Sequence, residues 1–238
     1  MSPTVVTCQV EAVETLSEVV YRVFLKGDSA AVAHAPGQYL ELEQDGDWLP
    51  FSIANHHQGD GELELHIQYA PENPRSKRLF ERLFAHEAFQ VRLPSGESVL
   101  DLDDDRPLML IAAGTGFAQM KAIIEAALAH HPDRPVHLWW AGKTREDLYL
   151  ESLPRRWSTE YPNVTFTPVI EAPSETDFDG MIERVDRALH ARVTSTREAS
   201  IFISGSPGMV YAVVDTLDAI EPLTERVFSD VFSYAPRG

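Results

Sequence analysis

The N-terminal part of the chain, to about residue 102, alternates between apolar and polar positions with a period of two, as half-buried β-strands do. These runs lie at residues 5–12, 19–25, 39–43, 63–67 and 88–93, and Gly or Pro stands in most of the gaps between them. Short strands at such close spacing predict an antiparallel β-barrel or sandwich. One helix is predicted between these strands, because four large apolar side chains fall on one helical face, namely Leu79, Phe80, Leu83 and Phe84.

After an acidic stretch at 101–106, the pattern changes. Residues 108–113 form a continuous apolar run, which is typical of a strand buried on both faces. Further strands are predicted at residues 136–141, 164–169, 200–204 and 226–228. Helical patterns separate them, one ending near residue 129 and the others at 146–160, 178–192 and 207–219. This alternation predicts a doubly wound parallel α/β domain. The predicted fold class is therefore two-domain β plus α/β, with an antiparallel β-barrel and one inserted helix over 1–103 and a parallel sheet over 104–238.

A glycine turn follows the first of the buried strands. Gly114, Thr115 and Gly116 stand where the strand ends and a helix begins, so the backbone there can approach a bulky anionic group. The free N–H groups and the dipole of the following helix favour negative charge. Gln119 occupies the position of the third glycine in the usual dinucleotide fingerprint. The pattern therefore fits either a nucleotide site or an ordinary strand–helix turn with no ligand.

A second glycine turn, Gly205-Ser206-Pro207-Gly208-Met209, follows another apolar strand at 200–204. Pro207 suits the first turn of a helix. Two such turns at the carboxyl edge of one parallel sheet would form a crevice, which is where ligands bind in these sheets. The alternative is again an ordinary helix start, with Met209 packed in the core.

Charge and cysteine content narrow the class of protein. The chain has 238 residues and a net charge of −17, which disfavours binding to nucleic acid and to anionic membranes. Cys8 is the single cysteine, so neither an intrachain disulfide nor a cysteine-rich metal or iron–sulfur site is expected. Residues 1–4 show no secretory pattern and no apolar stretch has the length of a membrane span, so we expect a cytoplasmic protein.

Four motifs follow one another in order along the two halves. They are Pro36-Gly37-Gln38-Tyr39, Pro50-Phe51-Ser52, Gly114-Thr115-Gly116-Phe117 and Gly205-Ser206-Pro207-Gly208-Met209, and the tail at 226–232 supports them. This order resembles the ferredoxin-NADP reductase-like superfamily, and within it the NAD(P)H:flavin oxidoreductases related to the bacterial flavin reductase. The resemblance covers residues 5–234. It implies a flavin-binding β-barrel domain over 1–103 and an NAD(P)-binding α/β domain over 104–238.

The resemblance implies that Pro50, Phe51 and Ser52 lie along a flavin, with Ser52 as the catalytic residue whose hydroxyl stands near flavin N5. The alternative for Ser52 is a strand hydroxyl bonded to the backbone. Leu49 stands where the family usually has an arginine that helps to hold the flavin phosphate. The resemblance with this departure favours FMN, FAD or riboflavin as a dissociable substrate. Arg75 and Ser76 are then either a substitute phosphate contact or a solvated helix start.

The resemblance also implies that NADH or NADPH lies across both glycine turns, and that its hydride passes to flavin N5 without a metal. The implied cofactor-binding residues are Gly114, Thr115, Gly116, Phe117, Gly205, Ser206, Pro207 and Met209. Lys143 and Arg145, after the next strand, either contact a 2′-phosphate or are loop charges. The choice between NADH and NADPH therefore stays open.

The expected function is an NAD(P)H-dependent flavin reductase that supplies reduced flavin, with a monooxygenase or a ferric complex as the acceptor. One alternative is an FAD-containing reductase that passes electrons to a carrier protein or a ferric acceptor. Another is a non-catalytic binding protein on the same fold. The preferred flavin, the downstream acceptor and the oligomeric state are not determined by the sequence.

Overall fold

The computed structural model describes residues 3–172 and 178–237. The chain forms two compact units, one of Met1–Leu100 with Lys121–Ala126 and the other of Asp101–Met120 with Ala127–Gly238. The assignment of a flavin domain to 1–103 and a nucleotide domain to 104–238 stays a prediction. Among the described residues, no helix is both long enough and apolar enough to span a membrane.

The first unit is built on a six-stranded antiparallel sheet, as the period-two pattern predicts. In the order β4-β3-β6-β1-β2-β5, its strands are β1 (Thr4–Thr15), β2 (Val20–Lys26), β3 (Tyr39–Gln44), β4 (Asp47–Ser52), β5 (Glu62–Gln68) and β6 (Ala88–Ser95). Alternate side chains of β3 and β6 are buried in an apolar core. A bridge between Ile53 and Leu65 joins the chain just beyond β4 to β5, so the two edge strands of the sheet meet.

The helix within this unit, α1, spans Pro74–Phe84. Asn73 caps it by accepting a hydrogen bond from the Arg75 N–H, and Pro74 occupies its first turn. Leu79, Phe80 and Leu83 are buried, as their shared helical face predicts. Phe84, at the last position of the helix, differs from the expectation because it is 53% exposed.

The second unit is a six-stranded parallel sheet in the order β10-β9-β8-β7-β11-β12. Its strands are β7 (Leu108–Ala113), β8 (Val136–Gly142), β9 (Val164–Ile170), β10 (Met181–Ile182), β11 (Ser200–Ser204) and β12 (Val227–Phe228). Its helices are α2 (Phe117–His130), α3 (Ser152–Glu160), α4 (Val185–Arg192), α5 (Pro207–Ile220) and α6 (Val231–Tyr234). The strand order reverses between β7 and β11, so the predicted doubly wound topology is confirmed.

Two of the predicted helices begin later than the pattern indicates. The segment predicted as a helix over 178–192 first forms β10, which pairs with Val169 and Ile170, and becomes helical only at Val185. Similarly, a short 3-10 turn at Arg145–Asp147 precedes α3, which starts at Ser152.

Candidate functional site

The structure brings the two glycine turns together at the carboxyl edge of the parallel sheet. Gly114–Gly116 forms a 3-10 turn between β7 and α2, and Gly205 and Ser206 connect β11 to α5. β7 and β11 are paired neighbours, with Ala112 opposite Ser204. Since the strand order reverses between these two strands, the turns flank the switch point, where ligands of doubly wound sheets bind.

Close contacts explain why glycine occupies two of these positions. A Cβ on Gly116 would stand 2.3 Å from the carbonyl oxygen of Ser204, which is backbone and cannot swing aside. Gly114 adopts a φ of +52°, a conformation that side chains disfavour. Gly208 differs from both, because a Cβ there would meet no heavy atom within 4 Å among the described residues. The first turn therefore requires its glycines for its own geometry.

The two helix starts differ in how their N–H groups are satisfied. Ser206 caps α5 by accepting a hydrogen bond of 3.4 Å from the Met209 N–H, and Pro207 follows it. The 3-10 turn at Gly114–Gly116 leads directly into α2, where the Phe117 N–H already bonds to the Gly114 and Thr115 carbonyl oxygens, and no side chain of the described residues caps the start of this turn. N–H groups left uncapped at a helix start are a favourable site for a phosphate. The turn at Gly114–Gly116 is therefore the better anion site of the two.

The side chain of Phe117 braces the first turn from inside the unit. It is fully buried, and its ring stacks on Trp140 with centroids 3.8 Å apart. The indole N–H of Trp140 donates a hydrogen bond of 3.0 Å to the Gly114 carbonyl oxygen. Met209 is half-buried and packs against the core of the parallel sheet, with its Cε next to Gly205. Phe117 and Met209 therefore pack against the two turns from the interior of the second unit.

In the first unit, β4 carries the predicted flavin segment. Phe51 and Ser52 are half-buried and Pro50 is exposed, while Leu49 packs against the apolar core of the sheet. Ser52 stands opposite Tyr39 of β3. The Ser52 hydroxyl forms no hydrogen bond to any residue that the structure describes, so the backbone-bonded alternative is not what the structure shows.

Arg75 and Ser76 are engaged within the protein. The Arg75 guanidinium forms an ion pair with Asp47, the first residue of β4, and its carbonyl oxygen accepts a hydrogen bond of 3.0 Å from Gln44. The Ser76 hydroxyl accepts one of 3.0 Å from the Ala70 N–H. Asp47 and Ser52 lie at opposite ends of β4, about 17 Å apart at a strand rise of about 3.3 Å per residue. The structure therefore does not bring the Arg75 contact next to Ser52.

The turn after β8 is closed by a carboxylate. One oxygen of Asp147 accepts the N–H groups of Lys143 and Thr144 at 2.7 and 3.1 Å. Arg145 forms an ion pair with Glu151 at 3.2 Å. Of the two cations considered for a 2′-phosphate, Arg145 thus already has an acidic partner.

A buried charged network that was not predictable from the sequence lies beyond β4. Lys121 of α2 donates to the Glu64 carboxylate at 2.8 Å, to Glu125 at 3.1 Å and to the Ala54 carbonyl oxygen at 3.1 Å. The second carboxylate oxygen of Glu64 stands 2.9 Å from Nε2 of His66. The one signal in the sequence was Lys121 with Glu125, four residues apart on an otherwise apolar helix.

Opposing effects set the ionisation of this network. Burial acts to raise the pKa of Glu64, but the hydrogen bond from His66 and the charge of Lys121 outweigh burial, so the pKa is lowered. Burial dominates at His66 and lowers its pKa, although Glu64 opposes this effect. The network therefore favours an ionised Glu64 beside a neutral His66.

Stability is expected to fall as the pH falls below about 6.5, because burial lowers the pKa of His57, His66 and His137 in the folded chain. The unfolded chain then binds protons that the folded chain does not. The fully buried His66 side chain should contribute up to about 1.4 kcal/mol per pH unit. Urea unfolding at several pH values tests this, and a His66→Gln variant should show a shallower slope. An equal slope in both proteins would contradict the assignment to His66.

The antiparallel sheet and the doubly wound parallel sheet with its paired glycine turns correspond to the ferredoxin reductase-like fold. Residues 110–215 match the family described as the oxidoreductase NAD-binding domain. The ferredoxin reductase in carbazole 1,9a-dioxygenase has a similar structure, with a TM-score of 0.84 and 23% identity over 97% of this chain and 70% of that one.

Two curated relatives differ in how much of their own length is matched. The NAD(P)H-flavin reductase of Vibrio harveyi is 29% identical over 96% of this chain and 99% of its own length. Reductase component 1 of terephthalate 1,2-dioxygenase from a Comamonas species is 29% identical over 85% of this chain. The matched part is only 60% of that reductase component.

Proposed function

We propose that this chain is an NAD(P)H-dependent flavin reductase that takes FMN, FAD or riboflavin as a dissociable substrate. The observation that carries the proposal is the match over 96% of this chain and 99% of the Vibrio harveyi NAD(P)H-flavin reductase. The paired glycine turns of the second unit and the half-exposed Ser52 of the first provide the two sites that such a reaction needs.

In the proposed nucleotide site, the backbone binds the anionic part of NADH or NADPH. Gly114, Thr115 and Gly116 offer the backbone N–H groups of their uncapped 3-10 turn to the pyrophosphate, and Gly205 allows close approach on the neighbouring turn. Ser206 and Pro207 set the start of α5 beside it. The side chains of Phe117 and Met209 support the turns from the interior, and their contribution to binding is through the backbone that they hold.

In the proposed flavin site, Phe51 and Pro50 provide an apolar edge and Ser52 provides a hydroxyl that can donate or accept a hydrogen bond. When bound, the nucleotide supplies a hydride and the flavin accepts it. We assign Ser52 to the flavin nitrogen at which the hydride arrives. The protein's part is orientation, because no acid–base pair is required for hydride transfer.

Weak retention of flavin follows from the residues near the expected phosphate position. Leu49 packs in the apolar core and cannot pair with a phosphate. Arg75 is paired with Asp47, so a phosphate would compete with that carboxylate for it, and Ser76 offers a phosphate only one neutral O–H donor. Isoalloxazine and ribityl contacts then dominate, which supports flavin as a substrate that leaves after reduction.

The purified protein is expected to be colourless and to oxidise NADH or NADPH only when flavin is added. Visible absorbance after gel filtration and a steady-state assay with both nucleotides and three flavins measure this. A yellow protein that retains FAD and reduces a carrier protein would favour the second candidate, a reductase component like that of terephthalate 1,2-dioxygenase. If neither nucleotide is consumed with excess flavin, the protein is a non-catalytic relative.

Replacing Ser52 by alanine is expected to lower the rate of hydride transfer to flavin by about tenfold, the loss of one hydrogen bond near the reacting atom. Single-turnover oxidation of NADH with excess flavin measures this step. Ser158→Ala, which removes a hydroxyl bonded only to the Pro154 carbonyl oxygen on α3, is the matched control. An unchanged rate in the Ser52 variant would remove Ser52 from the mechanism.

We further propose that the reduced flavin passes to a monooxygenase or a ferric complex. The support is that a curated relative is the reductase component of a dioxygenase. The cytoplasmic location expected from the sequence stays a prediction.

A further inference from the structure

The chain immediately beyond Ser52 is held by hydrogen bonds on every side. The Ala54 N–H donates to the Glu64 carbonyl oxygen at 2.7 Å, and the Glu64 N–H donates to the Asn55 side chain at 2.8 Å. The Ile53 N–H donates to Gln38 at 3.1 Å. Glu64 is thus bonded through its backbone to the segment that follows Ser52.

Lys121 completes this arrangement from within the same unit. Its ammonium group joins the Ala54 carbonyl oxygen to the Glu64 carboxylate, at 3.1 and 2.8 Å. The side chains of Lys121 and Glu64 are each only 7% exposed, and Ala54 is fully buried. Lys121 therefore holds the Ala54 carbonyl oxygen directly. It also holds Glu64, whose carbonyl oxygen accepts the hydrogen bond from the Ala54 N–H.

A buried ion pair is not the arrangement that stability alone would favour. Apolar side chains of similar volume often serve as well or better, because two charges must be removed from water. What apolar side chains cannot do is donate a hydrogen bond to the Ala54 carbonyl oxygen. The Lys121–Glu64 pair is therefore better explained by the geometry that it imposes than by the energy that it adds.

We propose that Lys121, acting through Glu64 and the Ala54 carbonyl oxygen, is a positioning residue for the flavin segment Pro50–Ser52. This inference rests on the proposed flavin reductase function. Lys121 touches neither the nucleotide nor the flavin in this role. It holds the end of β4 in the geometry that flavin requires, so its removal should weaken flavin use and leave nucleotide use unchanged.

Two paired double variants test the proposal. Lys121→Met with Glu64→Met removes both charges together with their hydrogen bonds, so that no uncompensated charge is left buried. Lys121→Gln with Glu64→Gln also removes the charges but keeps a donor and an acceptor. Glu125→Gln is the matched control, because Glu125 contacts Lys121 from its more exposed side and has no hydrogen bond to Ala54.

We expect the Met pair to raise the KM for flavin by about tenfold, while the KM for NADH stays within about twofold of the wild type. The Gln pair should restore most of the flavin KM, and Glu125→Gln should match the wild type. Amide hydrogen exchange of Ile53, Ala54 and Asn55, measured without any ligand, should speed up in the Met pair alone. Circular dichroism identifies any variant that fails to fold. If the Met pair does not fold, the flavin KM and the exchange rates of the Gln pair are compared with those of the wild type.

The outcomes distinguish a failure of the proposed flavin reductase function from a failure of the proposed positioning role of Lys121. A wild-type protein that does not reduce flavin overturns the proposed function, whatever the exchange rates show. A folded Met pair with wild-type flavin KM and wild-type exchange at Ala54 overturns the positioning role. Equal increases in the flavin and NADH KM values also overturn it, because a general structural defect would act on both.

Discussion

Replacing Lys121 alone by methionine is expected to lower the free energy of unfolding by about 3–5 kcal/mol. The reason is the group that the substitution leaves behind. Glu64 is only 6% exposed. Lys121 and His66 are the groups that lower the pKa of its carboxylate, so without Lys121 only the weakly basic His66 remains of these two. The Ala54 carbonyl oxygen loses its bond from Lys121 as well. Urea unfolding at neutral pH measures the loss.

The double Lys121→Met and Glu64→Met variant is expected to be more stable than the single variant by at least about 1 kcal/mol, although it carries one more substitution. Removing the second charge removes the cost of leaving it unpaired. If the double variant is the less stable of the two, the loss comes from packing around the side chains and the uncompensated charge is not its cause.

Acidification separates these explanations further. Lys121 is one of the groups that lower the pKa of Glu64, whereas burial raises it. In the wild type, the stability contributed by Glu64 is present above the ordinary glutamate pKa of about 4.3 and is lost as the pH falls through the lower folded value. In the single variant burial prevails, so protonation relieves the folded state as the pH falls. The difference in stability between the two proteins should therefore narrow toward acidic pH.

The parallel sheet and its glycine turns were predictable because their signals are local in the sequence. A strand buried on both faces leaves a continuous apolar run, as β7 does, and each strand segment predicted in the second half corresponds to a strand of the parallel sheet. The glycines of each turn are likewise close together in the sequence. The pairing of β7 with β11 is different, because the alternation of strands and helices predicts a parallel sheet but not the order of its strands.

Two strands escaped prediction because they lack the property on which the prediction depends. None of the residues Asp47–Ser52 is buried, so β4 shows no alternation of apolar and polar positions. Its proline is tolerated because β4 is the first strand in the order of the sheet and pairs there with β3 alone. β10 has only two residues. An alternating pattern reports burial on one face, and a strand without a buried face leaves no such pattern.

The buried network was not predictable because its members are far apart along the chain. Lys121 and Glu64 are separated by 57 positions, and each alone looks like a surface charge. The contact of Phe117 with Trp140 has the same character: a phenylalanine after a glycine turn suggests a ligand contact, whereas the folded chain buries it against an indole ring. Local sequence predicts a candidate site, and residues far apart in the sequence hold its backbone in place.

Replacing Gly116 by alanine is expected to raise the KM for NADH or NADPH by about tenfold or more and to lower the free energy of unfolding by about 1–3 kcal/mol. The added Cβ would stand 2.3 Å from the carbonyl oxygen and 2.7 Å from the carbonyl carbon of Ser204. Both atoms belong to the backbone of the neighbouring strand, so the overlap can be relieved only by moving the two turns apart.

Gly208→Ala is the matched control because it makes the same chemical change in the second glycine turn. A Cβ there meets no described heavy atom within 4 Å, and alanine favours a helix over glycine by about 0.5–1 kcal/mol. This variant should therefore be as stable as the wild type or more so, with an unchanged nucleotide KM. Steady-state kinetics and thermal unfolding of both variants give the comparison.

The flavin KM decides how the result for Gly116 is interpreted. The clash lies between β7 and β11 at the nucleotide turns, so the flavin KM should stay near the wild-type value while the nucleotide KM rises. Wild-type nucleotide KM in a folded Gly116→Ala protein would mean that NAD(P)H does not depend on the spacing of the two turns. The proposed nucleotide site would then have to be sought elsewhere on the parallel sheet.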